Sequence, residues 1–451
     1  MFFYLNEPVK ERAEGSKRLA AKRFSFDSST TTSLYHTPCQ WMRQATILKA
    51  ATMPYPSFPP GFLWGAATSS HQVEGNNALN DWFAWEKRAQ PAEKWSGSAS
   101  DQWNQWAEDV ELIRDLGHNA HRLSLEWSRI EPRPGEFDEA ALDHYQQLLR
   151  ALHAKGIKTV VTLHHFTNPL WLSEMGGWLN SCVVKRFTTY VEVVVEKLGA
   201  DIDVLLTINE PGVYAFMSYQ AGFWPPQARS TWQMQRVLWN MARAHRAAYP
   251  MIKRHFPTLP VGIAQNMTTF EPVHPKSWRE RFAAHWMALV NNFSFYWFSG
   301  WKTHDILGVN YYFHRRLDVT GHWWPRFQDP KETNRPTSDL GWELFPEGLG
   351  QIVRSLTKHK KPILITEHGL ADADDSRRPQ FIQDSLSHLS SAIADGAPVI
   401  GYLHWSLLDN FEWADGFDPR FGLVKVDYVT QTRTPRPSAF VYKKIIRDAS
   451  H

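Results

Sequence analysis

The chain has 451 residues with 49 Lys plus Arg against 46 Asp plus Glu, a balance that leaves no electrostatic footprint for nucleic acid. Its hydrophobic fraction, 43%, is ordinary for a soluble globular protein, and the length suits one large barrel or two to three average domains. Only two cysteines occur, Cys39 and Cys182, which excludes a disulfide framework and a Cys-based metal site; no apolar run reaches the roughly 18 residues of a membrane span.

The small cationic excess sits in the first fifty residues, among them Lys10, Arg12, Lys17, Arg18, Lys22 and Arg23. No apolar run follows this basic stretch, so it does not read as a secretory signal, and Glu7, Glu11 and Glu14 argue against a transit peptide. Residues 1–52 are expected to form a disordered N-terminal extension, with the catalytic unit in 53–451. Cysteine usage fits a reducing, cytoplasmic compartment, although a protein without disulfides can also be exported.

From Phe62 onward, β-rich runs alternate with helix-period runs. A strand is expected over 62–68, then a helix over 101–117 with Trp103, Trp106, Val110 and Ile113 at helical spacing and Gly117 as its stop. A strand over 118–125 precedes a helix over 138–156, capped by Asp138 and closed by Gly156. Strands follow at 158–165 and 204–210, then a helix through QRVLWNMARAHRAAYPMIKRH with a kink expected at Pro250. The last four strands are expected over 260–266, 305–312, 362–369 and 399–407. Eight strands alternating with helices predict an α/β fold, a single (β/α)8 TIM barrel with its active site at the C-terminal ends of the strands.

Polar residues gather at those ends: Gln72, Arg122, His165, Glu210, Asn266, Tyr312, Glu367 and Trp405. Two of them are glutamates, in TINEP (207–211) and ITEHG (365–369), at the fourth and seventh strands. Taken singly, each could be a structural ion-pair partner. Burying a carboxylate costs several kcal/mol without compensation, so two together need a reason, and glycoside cleavage supplies one. The 22 Trp fit either a Trp-rich core or a groove stacking the apolar faces of sugars.

The ordered segments FLWGAATSSHQVEG, RLSLEWSRIEP, VTLHHFTNPLWL, TINEP, LGVNYY, ITEHGLAD and WSLLDNFEWADGFDPRFGLVKVD resemble glycoside hydrolase family 1, the β-glucosidase family, over residues 62–444. NDWFAWE (80–86) is similar to its short, archaeal-like branch. The resemblance implies Glu210 as acid/base and Glu367 as nucleophile, with Arg122, Tyr312 and Asn310 supporting the nucleophile and its surroundings. It implies Gln72, His165, Asn209, Glu412 and Trp413 as sugar-hydroxyl contacts and Trp405 as the platform under the ring. The expected activity is that of a retaining β-glycosidase, foremost a β-glucosidase, with β-galactosidase or β-fucosidase activity as variants. It would hydrolyse terminal non-reducing β-linked sugars of a small glycoside or oligosaccharide through a covalent glycosyl-enzyme. No cofactor, metal, nucleic acid or membrane partner is expected, and the oligomeric state stays open. A transglycosidase using the same residues and an inactive sugar-binding relative are the alternatives.

Glu rather than Gln at position 210 departs from myrosinases, and LDNFEWADGFD lacks the cationic clamp of phospho-β-glycosidases. His368 stands where the family usually has Asn, so it is expected either to be tolerated in a turn or to touch the nucleophile's surroundings. Segments 267–304 and 313–340 are shorter than in many relatives, which suggests an open aglycone pocket with Trp323, Trp324 and Phe327 as candidate lining.

Overall fold

The computed structural model describes residues 58–321 and 325–449. The expected extension 1–52 lies outside the described residues, as do Trp323 and Trp324. Eight strands form the barrel: β1 (Leu63–Ala67), β2 (Ala120–Ser124), β3 (Lys158–His164), β4 (Val204–Asn209), β5 (Val261–Pro272), β6 (Leu307–Asp318), β7 (Ile363–His368) and β8 (Val399–Trp405). Every neighbouring pair is parallel. β8 returns to β1, from Leu63 opposite Gly401 to Ala67 opposite Trp405, which closes the expected barrel.

Burial on both faces explains why the strands read as apolar runs rather than alternating ones. Ala120, Val160, Val204, Leu206, Ala264, Ile306, Leu364 and Leu403 fill the interior below the mouth. Close strand approach dictates Gly65, where a Cβ would lie 1.8 Å from the Ala120 carbonyl oxygen.

Helices cover the outside. Helix Glu139–Ala154 starts as the sequence suggests, with the Asp138 side chain accepting from the Ala141 amide at 3.1 Å. Gly117 and Gly156 close their helices at φ +77° and +74°. The helix does not break at Pro250: Thr231–His255 is one continuous helix. Pro250 lies on its exposed side, where the carbonyl it leaves without a helical partner can bind water.

The expectation also fails for β5 and β6, which run 12 residues each. They pair beyond the barrel from Thr268 opposite Phe313 to Pro272 opposite Leu317, so 267–272 and 313–318 are strand rather than loop. The charges that look loop-like in sequence neutralise each other across this ribbon. Glu271 lies 3.2 Å from Arg316 and 3.4 Å from His314, and Glu343 lies 3.1 Å from His314. Phe327 belongs to a two-residue strand, Arg326–Phe327, paired antiparallel to the end of β6.

Candidate active site

Local backbone irregularities aim the two glutamates. Leu206 on β4 pairs with Gly262 and Asn209 with Ala264, three steps against two. Leu206 faces the barrel interior and Thr207 faces out to His245 Nδ1 at 2.7 Å, so plain alternation would turn Asn209 outward. The extra residue turns it inward, as bulges beside functional sites do. Glu210 follows at φ 40°, ψ 58°, a left-handed conformation, and Pro211 opens the helix Pro211–Tyr219. Non-glycine residues held there store strain and collect at functional sites. On β7, Ile365 pairs with Val309 and Glu367 with Asn310, leaving Thr366 as an extra residue. Thr366 and Glu367 consequently both face inward.

The carboxyl groups are buried and joined by one network. Arg122, fully buried on β2, donates from Nη1 to Glu367 Oε1, from Nη2 to Asn209 Oδ1 at 2.8 Å, and from Nε to Thr162 Oγ1 at 3.1 Å. The Tyr312 hydroxyl donates to Glu367 Oε2 at 2.9 Å. Asn310 Nδ2 donates to Asn209 Oδ1 at 3.1 Å and to Glu210 Oε1 at 2.9 Å, and Asn266 Nδ2 donates to the same Glu210 oxygen at 3.0 Å. Thr366 Oγ1 holds Asn310 Oδ1 at 2.6 Å, which fixes the amide.

This network places the two glutamates in unlike fields. Burial, and then the charge of Glu367, push Glu210 up to about 7, against the pull of the two Asn amides. Burial also raises Glu367, but Arg122 and Tyr312 oppose the rise by favouring the charged form. One carboxyl group therefore has an anion as its neighbour and the other a guanidinium.

The remaining expected residues converge on the same mouth. Gln72 Nε2 contacts Asn410 Oδ1 at 2.9 Å, the Phe411 carbonyl at 2.8 Å and Glu412 Oε2 at 3.3 Å. Burial, then Asp415, Glu367 and Glu210, push Glu412 well above the carboxylate range. His165 lies between Trp405 and Trp413, ring centroids 6.0 and 6.1 Å away and nearly parallel, with Asn209 Nδ2 3.2 Å from its Nε2. Burial and Arg122 hold its imidazole well below its ordinary range, so it is neutral. Sequence reasoning missed the parts played by Asn266, Thr162, Thr366 and Asn410. Asn266 had a signal, its place at the end of the strand expected over 260–266; the two threonines read only as good strand formers.

His368 fits neither expectation. It ends β7 fully buried and turned away from the carboxyl groups, with Nδ1 2.9 Å from the Tyr402 hydroxyl. Its ring stacks on Phe381 at 4.9 Å and on Tyr311 at 5.9 Å, and burial lowers its pKa to about 3. His368→Asn is therefore expected to act on stability, removing two ring contacts at a cost of about 1–3 kcal/mol, while kcat/KM well below the melting temperature stays within a few-fold. A hundredfold loss of kcat/KM with an unchanged melting temperature would contradict this.

Among the described residues, two other groups bring three metal-ligand atoms within 4.8 Å of one another, Glu192–Glu196–His255 and His274–Glu280–Asp318. Neither includes a residue of the mouth.

Acid-assisted cleavage of a glycosidic bond uses two carboxyl groups in unlike surroundings, and the barrel mouth holds such a pair. Comparison with known proteins points the same way. The model for glycosyl hydrolase family 1 matches residues 55–301 and 301–450. The chain is 31% identical to "Beta-glucosidase A" of Thermotoga maritima, covering 87% of this chain and 98% of that one. It is 32% identical to a "Beta-galactosidase" of Sulfolobus acidocaldarius, covering 87% and 95%. The solved β-glycosidase from Pyrococcus horikoshii superposes with a TM-score of 0.80 at 36% identity, over 88% of this chain and 96% of that one. The Thermotoga maritima β-glucosidase in complex with glucoimidazole gives 0.82 at 29% identity, over 88% and 100%. The chain belongs to glycosyl hydrolase family 1 and is an enzyme of the glycoside hydrolase class.

Proposed function

We propose that the enzyme is a retaining β-glycosidase, foremost a β-glucosidase, acting on terminal non-reducing sugars of small β-glycosides from a catalytic unit spanning 53–451. The observation that carries this reading is the opposite surroundings of Glu210 and Glu367. Glu367, held by Arg122 and Tyr312, attacks the anomeric carbon as a carboxylate while Glu210 gives its proton to the departing glycosidic oxygen. A covalent glycosyl-enzyme forms, and the leaving alcohol departs. Glu210, now a carboxylate, takes a proton from water, which displaces Glu367 and restores both groups. Asn209 contacts the 2-hydroxyl, Asn310 holds both Asn209 and Glu210, and Trp405 underlies the sugar ring. Gln72, His165, Glu412 and Trp413 receive the other hydroxyls. The two-cysteine composition supports a reducing, cytoplasmic compartment.

Two inversions at the anomeric carbon retain configuration, so proton NMR of the first-formed hydrolysis product is expected to show the β-anomer. An initial α-anomer would overturn the assignment of Glu367. A panel of aryl β-glucosides, galactosides and fucosides ranks the glycone preference, which the differently named relatives leave as the finer question.

The pH profile tests the acid. Glu210 must hold its proton for bond cleavage, so kcat/KM on a substrate with a poor leaving group is expected to fall as pH rises through about 7. Glu210→Gln, assayed with an activated leaving group, should lose that alkaline limb. A limb that survives the substitution belongs to another residue.

A further inference from the structure

Two neighbouring outer helices carry a surface that the proposed catalysis does not use. In helix Trp278–Ser299, residues 282–299 contain no Asp, Glu, Lys or Arg. A helix this apolar all round is normally buried or in contact with lipid. Yet Trp278 is 70% exposed, Phe282 64% and Trp286 55%, spaced four residues apart on one face. Helix Thr231–His255 packs beside it, with Trp239 and Phe298 rings 6.4 Å apart. Its outward stripe runs Trp232, Arg236, Trp239, Arg243, Arg246 and Arg254. With Trp297, 48% exposed, six large aromatic side chains of these two helices stand open to solvent, and exposed aromatic side chains in such number mark an interaction surface.

Charge selects the occupant. Helix Thr231–His255 contains no acidic residue. Among the described residues, Arg236 bonds only the Leu179 carbonyl at 2.8 Å and stacks on Trp232, Arg243 reaches only Asn240, and neither has a carboxylate partner. The nearby acids are set apart: Glu280 is buried against His274, Asp305 pairs with Lys253, and Glu192 and Glu196 sit beside His255 at the helix end. A second copy of the chain would bring one arginine row against another, and like charges meeting in an interface oppose association. An anionic surface that accepts aromatic rings fits instead. At a bilayer, Trp and Phe settle at the boundary between headgroups and acyl chains while arginines meet lipid phosphates.

We propose that this face docks the enzyme on the surface of an anionic lipid bilayer. No helix of the described residues is long and apolar enough to cross one, so the contact is interfacial. The sequence-based expectation of no membrane partner rested on the absence of a span, which leaves a surface contact open.

The test is co-sedimentation of the full chain with phosphatidylcholine vesicles containing about 30% phosphatidylserine. Binding is expected at about 0.05 M salt, with release at about 0.5 M and none to pure phosphatidylcholine. The triple variant Trp278→Ser, Phe282→Ser, Trp286→Ser and, separately, Arg236→Glu, Arg243→Glu, Arg246→Glu should each lower partition at least about tenfold while aryl-glycoside activity, which reports the fold, is unchanged. A chain that stays in the supernatant with anionic vesicles overturns the proposal. So do variants that sediment like the parent, which would place binding elsewhere. A stable dimer by light scattering that ignores vesicles and is split by the aromatic variant would assign the face to a second copy.

Discussion

Glu367→Gln is expected to lower kcat/KM at least about 10⁴-fold on every glycoside, whatever its leaving group, a loss of about 5 kcal/mol in transition-state stabilisation. The amide preserves shape but cannot form the glycosyl-enzyme, and a better leaving group cannot replace a missing nucleophile. The same change strips the buried Arg122 of its counter-charge. Removing one partner of a buried ion pair leaves the other uncompensated, at a cost of about 3–5 kcal/mol. The variant should therefore be both inert and lower-melting, and calorimetry with a steady-state assay checks the two together. Full melting temperature with residual turnover that scales with leaving-group ability would move the nucleophile elsewhere.

Glu210→Gln is expected to give the opposite pattern. With a dinitrophenyl glycoside the leaving group needs no proton, so glycosylation proceeds and a burst of phenol appears. Turnover then stalls because no base activates water. Azide, which needs no base, should rescue it as the β-glycosyl azide. On poor leaving groups the loss should reach about 10²–10⁴-fold. Stability moves too. The folded-state pKa of Glu210 is raised from 4.5 to about 7, so its protonated form contributes stability below the unfolded value that is lost as pH rises through about 7. At pH 8 the native site holds a buried anion facing Glu367; Gln removes that anion while still accepting from Asn266 and Asn310. The variant's melting temperature relative to the parent should rise between pH 5 and pH 8. An unchanged difference, or a burst from Glu367→Gln instead, would reverse the assignment.

Much of the barrel is legible in the chain. The eight barrel strands start where apolar runs and breakers place them, and those buried on both faces, such as β3 and β4, read as Val-, Ile- and Leu-rich stretches. The two glutamates and their partners are legible as polar residues ending such runs. What lies beyond depends on groups distant in sequence. The outer halves of β5 and β6 look like charged loops until Glu271 meets Arg316 and His314. His368 looks like a substitution beside a nucleophile until Phe381 and Tyr402, from a helix and a strand farther along, enclose it. The roles of Thr162 and Thr366 arise only when Arg122 and Asn310 arrive beside them.

The extra residues on β4 and β7 have a consequence for transplanting this chemistry. A strand in strict two-residue alternation assigns each position to the interior or to the helix layer by parity alone. The irregularity between Leu206 and Asn209 and the extra Thr366 break that parity just before each glutamate. Copying Asn209, Glu210 and Glu367 onto an idealised eight-stranded barrel without the inserted residue would send side chains of the correct identity into the wrong layer. The transferable unit is thus a length of backbone with its miscount included, and single-residue deletions just upstream of either glutamate should be among the least tolerated changes in the chain.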